Sequence, residues 1–258
     1  MGVRRWTAVG ATGGILAATA GCSLWGGGQQ PSACTTPPAA VATQPSSDTS
    51  ALRVAESGFT QLGPNRMVVS IGAVLENAGD QVAYRTLVKF ELTGPTSVSP
   101  GSDLFLVQEI PVILPKQKLP IGAWAYTDAE VTAIKVKVGP VTWLPRDGRF
   151  AEVTTAFESL TRTESNPDSA SVSYKVTSGY CRPLTMRGVA VVFRDAGGKI
   201  VGGSLELSGE FCPPGVSAQR MSALRSTPAG IEESKTQATA YCDFTGPSLP
   251  KPHGGPAN

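Results

Sequence analysis

From residue 51 onward the chain alternates apolar and polar side chains again and again. In Ile134-Lys135-Val136-Lys137-Val138 the aliphatics fall on one side and both lysines on the other. Val88, Phe90 and Leu92 alternate with Lys89 and Glu91, Val172, Tyr174 and Val176 with Ser173, Lys175 and Thr177, and Val189, Val191 and Phe193 lead into Arg194. A period of two sends successive side chains to opposite faces of an extended strand, so these runs predict antiparallel strands with one face buried and one solvated. Turn signals separate them: Asn77-Ala78-Gly79-Asp80, Gly94-Pro95, Asp195-Ala196-Gly197-Gly198 and Pro213-Pro214-Gly215. Helical periodicity is scarce. Ala151–Leu160 is the best helix candidate, and its β-branched residues weaken it. The predicted class is all-β.

A weak internal repeat organises these strands. Met67 to Leu92 reads as strand, polar loop and strand, and so does Ala170 to Asp195, with Phe90 and Phe193 corresponding at a separation of 103 residues. That is the size of one immunoglobulin-like sandwich. The expected body is two immunoglobulin-like antiparallel β-sandwiches, 52–146 and 150–245, with one larger β domain as the alternative. The polar stretch Thr163–Ser169 also has the composition of a boundary.

The N-terminal segment has a different character. Arg4 and Arg5 precede an apolar run of small residues, Trp6 to Ala20, too short and glycine-rich for a good membrane span. Ala18-Thr19-Ala20-Gly21 then leads to Cys22. This pattern resembles the lipobox of bacterial lipoproteins, although Thr19 stands where an aliphatic residue is usual. The resemblance implies a signal peptide over 1–21 and a lipid-modified Cys22 holding the protein on the outer face of a membrane. An ordinary secretory signal is the plainer alternative. The Arg4-Arg5-Trp6 doublet is only a weak sign of twin-arginine export. Residues 26–50 carry one charge, Asp48, among Gly, Pro, Ser, Thr and Gln, so 22–51 is expected to be a flexible tether. Residues 246–258 are expected to be a disordered tail.

Charge excludes one class of function. The chain has 22 Lys+Arg against 20 Asp+Glu, and Arg4 and Arg5 account for the whole excess. A neutral body argues against nucleic-acid binding through bulk positive charge.

With Cys22 set aside, Cys34, Cys181, Cys212 and Cys242 remain. An even number outside the cytoplasm implies two disulfides, with three connectivities open. Counting strand directions puts Cys181, Cys212 and Cys242 at one end of the second sandwich. Two would bond there and the third would capture Cys34. This leans towards Cys181–Cys212 with Cys34–Cys242. Metal binding is disfavoured, because the cysteines lack CxxC spacing and a nearby histidine.

Catalytic signatures are missing. No GxSxG, P-loop, GxGxxG or HExxH occurs, and the sole histidine, His253, lies in the tail. Asp128 with Glu130, and Glu232 with Glu233, are carboxylate pairs better explained as solvated rims. Leu104 to Tyr126 is rich in apolar residues punctuated by prolines, and core plus a blunted edge strand explains it better than a ligand site. Trp143 is expected to plug the domain boundary, and Arg182, Arg187 and Arg194 to lie on a solvated face. No catalytic residue, metal or cofactor is expected.

The strand Val189–Phe193, the turn Asp195-Ala-Gly-Gly and the later Pro-Gly turn together resemble the FxLyD-type immunoglobulin-like modules of bacterial surface lipoproteins. The resemblance covers about residues 170–242 and implies an envelope-exposed module without catalytic residues. The expected function is that of an envelope lipoprotein that binds a protein or polymer partner and meets the lipid bilayer through acylated Cys22. A structural spacer is the alternative, with a carboxylate- or Ser/Lys-dependent hydrolase behind it.

Overall fold

Strands form where the alternation places them. The computed structural model describes residues 34–38, 44–63, 67–98, 105–164 and 166–244. The first half contributes β1 (Leu52–Leu62), β2 (Val68–Asn77), β3 (Val82–Thr93), β4 (Val107–Ile113), β5 (Lys118–Tyr126), β6 (Ala133–Val138) and β7 (Thr142–Leu144). The second contributes β8 (Val153–Thr163), β9 (Asn166–Ser178), β10 (Leu184–Arg194), β11 (Ile200–Leu207), β12 (Phe211–Cys212), β13 (Gly215–Leu224), the 3-10 turn η1 (Glu233–Lys235) and β14 (Gln237–Asp243). Every pairing between these strands is antiparallel.

Four sheets result. Sheet 1 has the order β1-β2-β5, and sheet 2 the order β4-β3-β6 with β7 beside β3. In sheet 3, β10 pairs with β11, β12 and β14, and sheet 4 has the order β13-β9-β8. Sheets 1 and 2 enclose one core, built on Val69, Ile71, Leu75, Val88, Phe90, Ile110 and Ile121. Sheets 3 and 4 enclose a second, built on Val172, Tyr174, Val176, Met186, Val191 and Phe193. The two sandwiches therefore repeat one topology: β1-β2-β5 answers to β8-β9-β13, and β4-β3-β6 to β11-β10-β14. The 103-residue offset is constant through the core, pairing Val69 with Val172, Ile71 with Tyr174, Ala73 with Val176 and Phe90 with Phe193.

The sandwiches are not beads on a string. Sheet 1 packs on sheet 3, and the chain from Cys34 forms one compact unit. Glycine makes the stacking possible. Gly58, Gly72 and Gly122 are cross-strand partners in a row across sheet 1. Strand β11 crosses that row backbone to backbone. A Cβ on Gly58 would stand 2.0 Å from the Ile200 carbonyl oxygen, one on Gly72 2.3 Å from that of Gly202, and one on Gly122 2.3 Å from that of Ser204. The Ser70 hydroxyl donates to the Gly203 carbonyl at 2.9 Å and accepts from the Gly203 amide at 3.0 Å, satisfying polar groups at the dry seam. The outer face of sheet 4 shows the contrast. There the equivalent row is Ala156-Lys175-Ala218, and Lys175 pairs with Glu158 at 2.8 Å. A lysine where the seam needs glycine ends the stack at two.

Several expectations change. Ala151–Leu160 supplies most of strand β8, because its alternate residues face core and solvent. Thr163–Ser169 is no boundary but the tip of the β8–β9 hairpin. The chain crosses between sandwiches near Leu144–Phe150, both of which sit in the second core. Described parts of the expected tether, 22–51, are held to the body. Thr35 bridges Tyr180, Ser46 bridges Val141, Pro37 and Pro38 are buried, and the Trp143 indole donates to the Asp48 carbonyl at 2.9 Å. Trp143 is thus a half-buried clamp on this strap.

The disulfides are Cys34–Cys181 and Cys212–Cys242. The expected clustering holds, since Cys212 is opposite Leu184 and Cys242 opposite Met186 at the start of β10. The favoured pairing does not. Cys212 and Cys242 are both buried on strands flanking β10, whereas Cys181 lies exposed in the next loop, where the Thr35 bridge delivers Cys34. Two disulfides place the folded chain outside the cytoplasm, in an oxidising compartment. Among the described residues no helix is long and apolar enough to cross a membrane.

Candidate binding surface

Where sheet 1 meets sheet 3, the end of edge strand β5 runs past β11 and leaves an aromatic ledge. Trp124 is buried there, its indole donating to the Leu205 carbonyl at 3.1 Å. Phe105 stacks on it at 4.4 Å between centroids, and Tyr126 meets it edge-on at 5.1 Å. Arg225, from the second sandwich, lies over the Trp124 ring at 5.8 Å and donates to the Tyr126 hydroxyl at 3.3 Å. Tyr126 is 41% exposed and its neighbour Met67 48%. Held between a fixed ring and a guanidinium, Tyr126 presents an aromatic face with little rotamer freedom left to lose on binding.

A separate pocket of about 170 Å³ in the second sandwich is lined by Tyr174, Glu206, Glu210 and Arg220. Burial pushes the Glu206 carboxyl above its usual range, with Arg225 pulling the other way. Burial, reinforced by the charge of Glu210, pushes the Tyr174 phenol up to about 12. The Tyr174 hydroxyl bonds the Gln219 side chain at 3.1 Å. The ledge, built by both sandwiches, offers stacking and a cation, and the charge of Arg225 acts on Glu206 in the pocket.

Two other features have structural explanations. An open polar groove of about 480 Å³ separates β5 from β8 and η1. Its β8 edge is partly closed, because Glu233 accepts from the Leu160 amide at 3.3 Å and Thr155 from the Ala240 amide at 2.9 Å. A buried ion cluster ties the sandwiches together: Arg187 on β10 pairs with Asp243 on β14 and with Glu109 on β4 at 2.7 Å, and Arg85 on β3 approaches Glu109 at 3.8 Å. Such a cluster is costly to break from one side only.

These contacts sort the sequence candidates. Arg187 is buried, Arg194 is partly buried against Glu56 at 2.6 Å, and Arg182 is exposed, so the three do not form one solvated face. Asp128 and Glu130 are exposed on the loop after β5. Glu232 caps η1 through Ser234, and Glu233 holds β8, which gives both structural work. Leu104–Tyr126 is mostly core and edge strand as expected, from Phe105 onward, with Val107 and Tyr126 as its exposed exceptions. Cys22 and His253 lie outside the described residues, as do 1–21, expected as a signal peptide, and 246–258, expected as a tail. Among the described residues no cluster of three or more His, Cys, Asp or Glu is arranged to hold a metal. The seam glycines and Arg225 were missed by sequence reasoning. Glycines in mid-strand were the available signal for the seam; nothing marked Arg225.

No protein-family model matches the chain, and it has no match among curated proteins or solved structures.

Proposed function

We propose that this protein is a lipid-anchored, non-catalytic binding module of the cell envelope, with the Tyr126–Arg225 ledge as its partner surface. The observation that carries the reading is the ledge itself: an exposed aromatic ring fixed by residues of both sandwiches and flanked by charge. A rim of this kind, apolar at its centre and polar around it, suits a protein or envelope polymer better than a small metabolite, which takes a deep concave pocket. Cys22 supplies the anchor, and the FxLyD-like pattern of the second sandwich agrees with an envelope location. The glycine-welded seam also favours a spacer role, because it makes the body stiff. Labelled palmitate should enter the wild-type protein, and Cys22→Ala should abolish labelling and release the protein from the membrane fraction. Unlabelled wild type, or a Cys22→Ala chain still on the membrane, would remove the anchor from the proposal.

A further inference from the structure

The turn between β12 and β13 has no role in the ledge. Its six residues, Phe211-Cys212-Pro213-Pro214-Gly215-Val216, include no charged or hydrogen-bonding side chain. Phe211 is 60% and Val216 64% exposed, the most exposed large apolar residues among those described. Leu207, at the end of β11, is 47% exposed and close by in the chain. Apolar surface held in water this openly points to an occupant. Cys212 at the base of the turn is bonded to Cys242, which ties the turn to β14.

The position of the turn identifies the occupant. Gly215 is opposite Ser178 and Val216 opposite Thr177 at the end of β9, three residues before Cys181. Cys212 is opposite Leu184, just after that loop. Cys34–Cys181 therefore fastens the chain to the body at the same end that carries the apolar turn. Only residues 23–33 separate Cys34 from Cys22. Twelve steps span about 20 Å as a coil and roughly 40 Å when stretched. Exposed Arg182, beside Cys181, adds a cation suited to lipid phosphates, while exposed Glu210 precedes Phe211 in the chain.

We infer that the Phe211–Val216 turn is a membrane-docking tip that inserts into the lipid surface and fixes the orientation of the anchored body. The inference rests on the proposed acylation of Cys22, and it adds apolar contact with the lipid surface to that anchor. Docking this end would hold the body by two attachments rather than one swinging tether.

The test uses the full chain carrying Cys22→Ala, so that no acyl chain contributes, and vesicles of phosphatidylcholine and phosphatidylglycerol. Co-sedimentation should be weak but measurable, and Phe211→Ser with Val216→Ser should reduce it about tenfold or more. Leu87→Ser with Val107→Ser, which removes two exposed apolar residues from sheet 2, should leave it unchanged. A thiol titration showing both disulfides closed confirms that each variant is folded. In a second measurement, Phe211→Trp should add fluorescence that brominated lipid quenches. Vesicle binding unaffected by the tip substitutions, equal loss in both double variants, no binding by the parent, or no quenching at position 211 would each overturn the inference. Palmitate labelling of the wild type reports separately on Cys22, so failure of the anchor and failure of the tip are distinguishable.

Discussion

At the scale of single residues, the decisive ones are small. Gly72 sits where β2 and β11 touch through their backbones, with space for a hydrogen and no more. Gly72→Ala should therefore separate the two middle sheets and destabilise the protein by about 3 kcal/mol, measured by urea unfolding; a loss under ~0.5 kcal/mol would mean that the seam is looser than described. The alternation rule could not foresee this contact, since it sorts faces into core and solvent, whereas β2 is buried on both. Ser70, Gly72 and Val74 look like a solvent face in sequence and are seam in the structure. The tyrosines give a second residue-scale expectation. Burial raises the ionisation of Tyr174, Tyr180 and Tyr241. A folded-state pKa above the unfolded value of about 10 leaves stability intact below that pH and removes it as pH rises beyond. In an alkaline absorbance titration, three of the five tyrosines should ionise late and together with unfolding. Five independent phenols titrating near pH 10 would contradict that burial.

At the scale of elements, most strands were legible because each needs only a period and a turn. The exceptions have physical causes. β8 carries Ala156, Phe157 and Leu160 close enough in sequence to resemble a helix face, and its bulge between Phe157 and Ser159 breaks the alternation. The strap at 34–51 reads as a tether because its composition is polar and proline-rich, yet two bridges and a disulfide hold it to both sandwiches. The pairing of the cysteines turned on which of them faces a neighbouring strand, information that strand direction alone does not contain. Cys34→Ser with Cys181→Ser opens a loop of 147 residues. Its removal should cost roughly 2–5 kcal/mol and expose the strap to limited proteolysis ahead of Leu52, while Cys212–Cys242 stays closed. A strap as resistant as in the wild type would show that its bridges, not the disulfide, secure it.

At the scale of the whole molecule, duplication is visible in the sequence but the way the copies stack is not. The constant 103-residue offset shows in the alternation, whereas the seam depends on one row, Gly58-Gly72-Gly122 against Ala156-Lys175-Ala218, where the copies differ. Stacking the copies in a head-to-tail sense joins unlike sheets and brings Tyr126 of one beside Arg225 of the other. The ledge therefore belongs to neither sandwich alone, and a sequence divided into two separate domains conceals it. Arg187, pairing with Glu109 across the same junction, should make the two sandwiches unfold together. Arg187→Ala would remove the cation shared by Asp243 and Glu109 and cost about 3–5 kcal/mol in a single calorimetric transition; two resolved transitions in the wild type would show independent sandwiches. The most direct measurement places a photo-crosslinking side chain at Tyr126 in intact cells, with another at Lys175 on the charged outer face as reference. One dominant adduct at position 126, lost on Arg225→Glu and missing from position 175, is the expected result. The same scattered adducts from both positions would contradict a binding role for the ledge.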